Sequence, residues 1–217
     1  MPVEAVAFDL DGVLVDSEQV WDEVRREYVP EHGGRWREEA TRAMMGMSSL
    51  EWSRYLAEEL GVHVPLERIS REVATRVAER YRERLPLLPG AREAVERTAA
   101  RWPLALATSS NRGVIDLVLE VSGLGPFFAA TVSSEEVARG KPAPDVYLEA
   151  ARRLSVDPER CAAIEDSQNG IRSAAAAGMT VIAVPNEHFP PDAESLAMAA
   201  IVLPSIEALT VKVIEEY

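Results

Sequence analysis

Phe8-Asp9-Leu10-Asp11-Gly12 is the stretch on which the reading of this chain turns. The residues before it, Val3 to Phe8 with only Glu4 polar, form an apolar run of the kind that makes a buried parallel strand. Where the run stops, two carboxylates stand one residue apart, and a glycine follows to turn the chain. Side chains repeat every second residue along a strand, so Asp9 and Asp11 project the same way from its carboxyl end. Two like charges held close are costly unless a cation or a shared proton offsets them. Taken alone, the stretch describes a strand closed by an Asp-Gly turn just as well. The rest of the chain separates the two readings.

Between Asp16 and Leu85 the pattern is helical and nothing reads as a strand. Asp16 and Gln19 match a capping box ahead of Val20, Val24 and Tyr28, with Pro30 and Gly33-Gly34 closing that helix. Ser48 and Glu51 match a second capping box before Trp52, Tyr55 and Leu56, with Gly61 past the end. A third helix places Ile69, Val73, Val77 and Tyr81 on one stripe. Its charged faces, with Glu67–Arg71 and Glu72–Arg76 at favourable spacing, read as solvated surface. From Pro89-Gly90 onward, strand and helix alternate. Helices are expected over 91–100, 114–121, 146–154 and 171–177, and strands over 104–107, 129–132, 161–164, 181–184 and 201–203, before a C-terminal helix. Such alternation predicts an α/β fold, a Rossmann-like doubly wound and mostly parallel sheet covered on both faces. The helical block is then an insertion. The expected division is a core of residues 1–15 and 88–217 and a helical cap of residues 16–87.

Composition narrows the partners. The chain has 217 residues, 47% hydrophobic and 27% charged, as in ordinary soluble domains. A formal net charge of −13 disfavours nucleic acid and anionic membrane, which both need a positive surface. It leaves an anionic small molecule open, because a metal or a lysine can override the global charge locally. Cys161 is the single cysteine, so no intrachain disulfide forms. No basic-then-apolar leader opens the sequence and no run is long enough to span a membrane, so the cytoplasm is the expected address.

Ligands of open parallel sheets bind outside the carboxyl ends of the strands. The expected strand ends here carry Asp9 and Asp11, then Thr108 and Ser109, then Glu165 and Asp166. Lys141 joins them from Gly140-Lys141-Pro142, where the following proline biases it away from helix. Several carboxylates, a hydroxyl and one lysine suit magnesium and a phosphate group, since magnesium takes a few carboxylate oxygens plus water and phosphate. Other sites are not matched. An EF-hand would need its glycine two residues beyond Gly12, a Walker loop would need glycine at Glu135 and a hydroxyl at Pro142, and no G-x-S-x-G elbow occurs. His32, His63 and His188 are scattered away from the strand ends and read as surface or loop residues, and Cys161 reads as a small core residue.

Four segments in order, Asp9-Leu10-Asp11-Gly12-Val13, Ala107-Thr108-Ser109-Ser110, Gly140-Lys141-Pro142-Ala143-Pro144-Asp145 and Ile164-Glu165-Asp166-Ser167-Gln168-Asn169-Gly170, resemble the ordered motifs of haloacid-dehalogenase-like hydrolases. The match is closest to the β-phosphoglucomutase-like branch and covers essentially the whole chain. The resemblance implies Asp9 as nucleophile, forming an aspartyl-phosphate, and Asp11 as general acid and base. It implies Mg2+ held by Asp9, the Asp11 carbonyl and Asp166, with Glu165 assisting directly or through water or else pairing with Lys141. Thr108, the Ser109 amide and Lys141 would hold the transferring phosphoryl oxygens. Ser110 and Asn111, with Arg112 beside them, are candidates for distal substrate contacts, Asn111 being weighed against helix capping. Trp21 is a candidate for the cap wall, weighed against core packing.

Two departures from the family's patterns guide the expected activity. Haloacid dehalogenases proper lack an acid at the position of Asp11, so its presence favours phosphoryl transfer. β-Phosphoglucomutases carry a cap histidine where Trp21 stands and a cap arginine near Ser49 that grips a second phosphate; this chain has neither. The expectation is a phosphatase acting on a small, sugar-like phosphate monoester. A mutase is the alternative, and a non-catalytic phosphometabolite-binding protein a further one. A response-regulator receiver is disfavoured, because it would need an aspartate at the end of the middle strand, where Leu104-Ala-Leu-Ala-Thr108 has none.

Overall fold

The computed structural model describes residues 2–44, 47–186 and 190–217. Strand β1 (Ala5–Phe8) leads into helices α1 (Glu18–Glu31), α2 (Ala40–Met44), α3 (Ser49–Glu58) and α4 (Leu66–Glu83). The chain continues through α5 (Ala91–Ala99), β2 (Leu104–Thr108), α6 (Arg112–Ser122), β3 (Phe128–Ser133), α7 (Asp145–Leu154), β4 (Cys161–Glu165) and α8 (Gln168–Ala176). It ends with β5 (Thr180–Ala183), α9 (Ala193–Leu196), β6 (Ile201–Val202) and α10 (Val211–Glu215). Six strands form one sheet in the order β3-β2-β1-β4-β5-β6. Every pairing is parallel, so the expected mostly parallel sheet is parallel throughout the described residues.

Alternation along the strands builds two unequal faces. Val6, Phe8, Leu104, Leu106, Ile164 and Ile182 join a large core shared with Val95, Ile115, Val118 and the inserted helices. The alternate positions, Ala5, Ala7, Ala105, Ala107, Ala163 and Ala183, are small and pack against Val146, Tyr147 and Ala150 of α7 and Ile171 and Ala174 of α8. A carpet of alanines lets helices approach the sheet closely. The Tyr147 side chain can therefore sit fully buried under the strand ends.

The insertion is tied in by two adjacent linkers. Val15 bridges Leu87 antiparallel, the Asp16 amide donates to the Pro86 carbonyl at 2.8 Å, and the Leu88 amide donates to the Leu14 carbonyl at 2.9 Å. This ladder explains the first difference from expectation. Asp16 is held in the linker, so α1 starts at Glu18 behind Ser17 with no side-chain cap, and Gln19 donates to Glu23 instead. The Ser48–Glu51 capping box does form. The stripe Ile69, Val73, Val77 and Tyr81 is buried, but the expected Glu72–Arg76 pair along α4 gives way to other partners. Glu72 takes Arg68 and the Tyr28 hydroxyl, while Arg76 crosses to Glu31 on α1. Packing of α1 against α4 brings these partners within reach, and i,i+4 pairs on their own are worth only about 0.2–0.5 kcal/mol. Cys161 is buried and free. His32 sits at the end of α1, stacked on Tyr28 at 3.9 Å, and His188 lies outside the described residues. No described helix is long and apolar enough to cross a membrane.

Candidate active site

The strand order reverses between β1 and β4: the chain proceeds outward through β2 and β3 on one side and through β5 and β6 on the other. A crevice opens at such a reversal beyond the carboxyl ends of the strands. Phe8 is in register with Ile164, so Asp9 and Asp11 emerge beside Glu165 and Asp166. Thr108 ends β2 on the other flank of β1, and Lys141 reaches in from the loop between β3 and α7.

Lys141 is the hub of the buried charges. It is 3% exposed, and its ammonium donates to Asp9 Oδ1 at 2.9 Å and to Glu165 Oε1 at 2.5 Å. The Tyr147 hydroxyl donates to the same Glu165 oxygen at 2.7 Å. Glu165 Oε2 accepts from the Asp166 amide, the Ser167 amide and the Ser167 hydroxyl at 3.1–3.3 Å. Both Glu165 oxygens are thus fully engaged. Gly170 makes room for this carboxylate, since a Cβ there would overlap it. In the same way Gly12, at φ +77°, makes room for the Asp166 carboxylate.

Burial dominates the ionisation of the cluster. Desolvation pushes the Asp9 carboxyl up to about 7 against the pull of Lys141, with Glu165 and Asp11 adding to the rise. Asp166 is raised well above the usual carboxylate range, by burial first and then by Glu165 and Asp9. The attraction of Asp9 and Glu165 outweighs burial at Lys141 and raises it, so the ammonium stays charged. Asp9, Glu165 and Asp166 each offer an oxygen within 4.8 Å of the others. The buried Oδ1 atoms of Asp11 and Asp166 have no hydrogen-bond partner. Crowded carboxylates, with Asp9 and Asp166 raised in pKa and with orphaned oxygens on Asp11 and Asp166, fit a hard divalent cation.

Asp11 is held differently. The Ser110 hydroxyl donates to its Oδ2 at 2.6 Å, and the Thr108 hydroxyl lies 3.5 Å from the same atom while accepting from the Ser110 amide. Ser110 therefore orients the carboxylate. Ser109 lines the pocket, and its buried hydroxyl has no partner. Asn111 lies outside this pocket; its amide donates to Ser70 on α4 at 3.0 Å and to Glu135 at 2.7 Å. It occupies the N-cap position of α6 without capping through its side chain.

The inserted helices roof the site. The pocket is lined by Asp9, Asp11, Thr108, Ser109, Ser110, Lys141 and Asp166 from the sheet side, and by Glu18, Trp21, Arg25 and Trp52 from α1 and α3. Trp21 stands edge-on to Trp52, with ring centroids 5.9 Å apart, and so both packs and lines the wall. The space left within is about 80 Å³. Glu18, Arg25, Trp52 and Tyr147 escaped the sequence reading. For Arg25 a signal existed, because residues 21, 24, 25 and 28 follow the i, i+3, i+4, i+7 pattern of a buried stripe.

Residues 3–178 match the family described as haloacid dehalogenase-like hydrolase. The phosphorylated carbohydrates phosphatase of Thermotoga maritima is 35% identical, over 82% of both chains. Hexitol phosphatase B of Escherichia coli is 33% identical over 96% of this chain and 95% of that protein. The crystal structure of CbbY from Rhodobacter sphaeroides in complex with phosphate superposes with a TM-score of 0.87 at 28% identity, covering 99% of this chain and all of that one.

Proposed function

The chain belongs to the haloacid dehalogenase-like hydrolases, and we propose that it is a magnesium-dependent phosphatase hydrolysing a small, sugar-like phosphate monoester through an aspartyl-phosphate. The observation that carries this reading is one pair of carboxylates at the strand-order reversal with two different settings. Asp9 is gripped by the Lys141 ammonium, and Asp11 by the Ser110 hydroxyl. In the first step an Asp9 oxygen attacks phosphorus, the bond from phosphorus to the ester oxygen breaks, and Asp11 gives its proton to the leaving alkoxide. In the second, Asp11 takes a proton from water as that water attacks phosphorus, releasing inorganic phosphate and restoring the Asp9 carboxylate.

Asp9 and Asp166 fit the metal, together with the Asp11 backbone carbonyl that the family resemblance implies. Bound magnesium supplies positive charge to the phosphoryl oxygens and to the acidic cluster. Glu165 meets the distance requirement for a ligand, but its oxygens are committed to Lys141, Tyr147, Ser167 and the Asp166 amide. We therefore assign it to positioning Lys141. Lys141, Thr108 and the Ser109 amide hold the phosphoryl oxygens. Trp21 and Trp52 close the roof, which belongs to an inserted cap of residues 16–87 set on a core of residues 1–15 and 88–217. The activities for which the Thermotoga and Escherichia relatives are named support a phosphorylated carbohydrate or polyol as substrate. An intracellular small metabolite also agrees with the acidic charge and the single free thiol.

The test is inorganic phosphate release from a panel of phosphorylated sugars, polyols and nucleotides, with magnesium and with excess chelator. Release that needs magnesium and favours one class supports the assignment; release unaffected by chelator removes the metal. One observation keeps the mutase as a second reading. The family's cap arginine near Ser49 is missing, yet Arg25 presents a cation to the pocket from a different helix. Silence across the panel, followed by conversion of β-glucose 1-phosphate with a bisphosphate primer, would establish it.

A further inference from the structure

Arg25 is an anomaly on the buried stripe of α1. It is 6% exposed, yet its Nε and Nη1 have no hydrogen-bond partner. Its guanidinium lies 5.4 Å from the Trp21 ring and 5.7 Å from the Trp52 ring. Buried polar groups are nearly always satisfied, and a buried charge with unmade hydrogen bonds is a standing penalty. Among the described pocket-lining residues the cations are Lys141 and Arg25, and Lys141 is already held by Asp9 and Glu165. Arg25 is the uncommitted one. Glu18 is the strongest opposite charge acting on it, but the two make no ion pair, and Glu18 Oε1 is itself buried without a partner. The roof therefore presents an unfilled donor beside an unfilled acceptor, and no step of the proposed chemistry uses either.

We infer that Arg25 recognises a second anionic group, a carboxylate or a phosphate, at the end of the substrate away from the phosphoryl group that is removed. This rests on the phosphatase reading and adds the substrate's chemical class to it. An anion suits the site better than a hydroxyl, because charge-assisted hydrogen bonds are roughly twice as strong as neutral ones and the planar guanidinium matches carboxylate and phosphate oxygens. The tryptophan faces fix the guanidinium in place, so little freedom is lost on binding. In a protein carrying a formal charge of −13, such a local cation would favour the approach of a doubly anionic substrate. Glu18, alongside, can accept a hydrogen bond from a neighbouring substrate hydroxyl.

The experiment compares kcat/KM for three six-carbon substrates: glucitol 6-phosphate with an uncharged far end, 6-phosphogluconate with a carboxylate, and fructose 1,6-bisphosphate with a second phosphate. The wild-type protein should favour one of the anionic pair over glucitol 6-phosphate, and which one it favours identifies the anion. In Arg25→Met that preference ratio should fall by about 10- to 100-fold, and Arg25→Lys should restore part of it. A wild type that prefers glucitol 6-phosphate, or a preference that survives in Arg25→Met, overturns the inference. If no substrate of the three is hydrolysed, binding is read from the melting temperature of Asp9→Asn with magnesium. Stabilisation by the doubly anionic compounds that is lost with Arg25→Met then supports the anion site while the phosphatase reading fails. The same small shift from all three overturns it.

Discussion

Replacing Gly170 by alanine sets two physical effects against each other. Gly170 lies in the first turn of α8, and helix propensity alone favours alanine over glycine by about 1 kcal/mol. A Cβ at this position, however, would come under 3.0 Å from all three carboxyl atoms of Glu165. The tip of an exposed glutamate could swing aside cheaply. This one is fully buried and accepts from Lys141, Tyr147, Ser167 and the Asp166 amide, so retreat breaks bonds to a charged group. Each such bond contributes about 1.5–3 kcal/mol, and weakening two of them outweighs the propensity gain. The expected net loss is about 2–4 kcal/mol, or a fall of about 5–15 °C in melting temperature for a chain of this size. Chemical denaturation of wild type and variant measures it. Gly113 is the internal control: it is exposed in α6 and a Cβ there meets nothing within 4 Å. Gly113→Ala should therefore stabilise by about 0.5–1 kcal/mol. Shortening the acid in Glu165→Asp should absorb part of the Gly170→Ala penalty, so the two changes should be non-additive. Unchanged or increased stability in Gly170→Ala would refute the tightly held Glu165 on which the placing of Lys141 depends.

Asp9→Asn should lower turnover by about 1000-fold or more while circular dichroism and melting remain those of a folded protein; normal turnover in the folded variant would remove the covalent mechanism. Magnesium binding should strengthen with pH through neutrality. The folded metal-free chain holds protons on Asp9 up to about 7 and on Asp166 well above the usual range, so metal must displace them. By the same sign, these two groups stabilise the chelated protein at low pH, below the unfolded carboxylate range; the Asp9 contribution fades as pH rises through about 7, and that of Asp166 fades as pH rises through its own raised value. The magnesium-induced rise in melting temperature should be larger at pH 8 than at pH 5.5, and an equal rise at both would count against these protonation states. The adjacent linkers at Val15–Asp16 and Leu85–Pro89 should act as hinges. Solution scattering should then show compaction when a phosphate analogue and magnesium are added, and identical curves would argue for a rigid roof.

Much of the fold was legible because its signals are local. The short apolar runs ending in Asp9, Thr108 and Glu165 are strands at those places, since buried parallel strands need little more than a run of apolar residues between turns. The Ser48–Glu51 cap formed because both partners lie within one turn. What could not be read depends on distant chain. Asp16 fails to cap α1 because Pro86, seventy residues on, holds its amide. Arg76 pairs with Glu31 on another helix, while Arg68 and the Tyr28 hydroxyl take Glu72. Asn111 is drawn from the pocket by Ser70 and Glu135, neither of which is near it in sequence. Strand order, which brings the ends of β1 and β4 together, is likewise a property of the assembled sheet.

Arg25 and Arg26 mark where local reading and tertiary structure part company. Both follow Val24 in a helix rich in charge, and their side chains are chemically identical. Arg26 pairs with Asp22 one turn back at 2.5 Å and stays half exposed, the ordinary fate of a helix-surface arginine. Arg25 is rotated by about 100° from it onto the stripe of Trp21, Val24 and Tyr28, and that stripe serves two purposes. Toward its C-terminal end it packs on α4, where Tyr28 is fully buried. Toward its N-terminal end it overhangs the carboxyl ends of the strands, where Glu18, Trp21 and Arg25 line the pocket. A residue on such a stripe is expected to be apolar if packing is all that the position does. An arginine there is a departure that stability alone does not favour, because burying a guanidinium costs more than burying leucine. The rings of Trp21 and Trp52 offset part of that cost, and on the inference that Arg25 recognises an anion, a negatively charged group that arrives with the substrate offsets the rest. A charge on an apolar stripe, placed over strand ends that carry paired carboxylates, is therefore the position in the sequence at which to look for what the pocket binds.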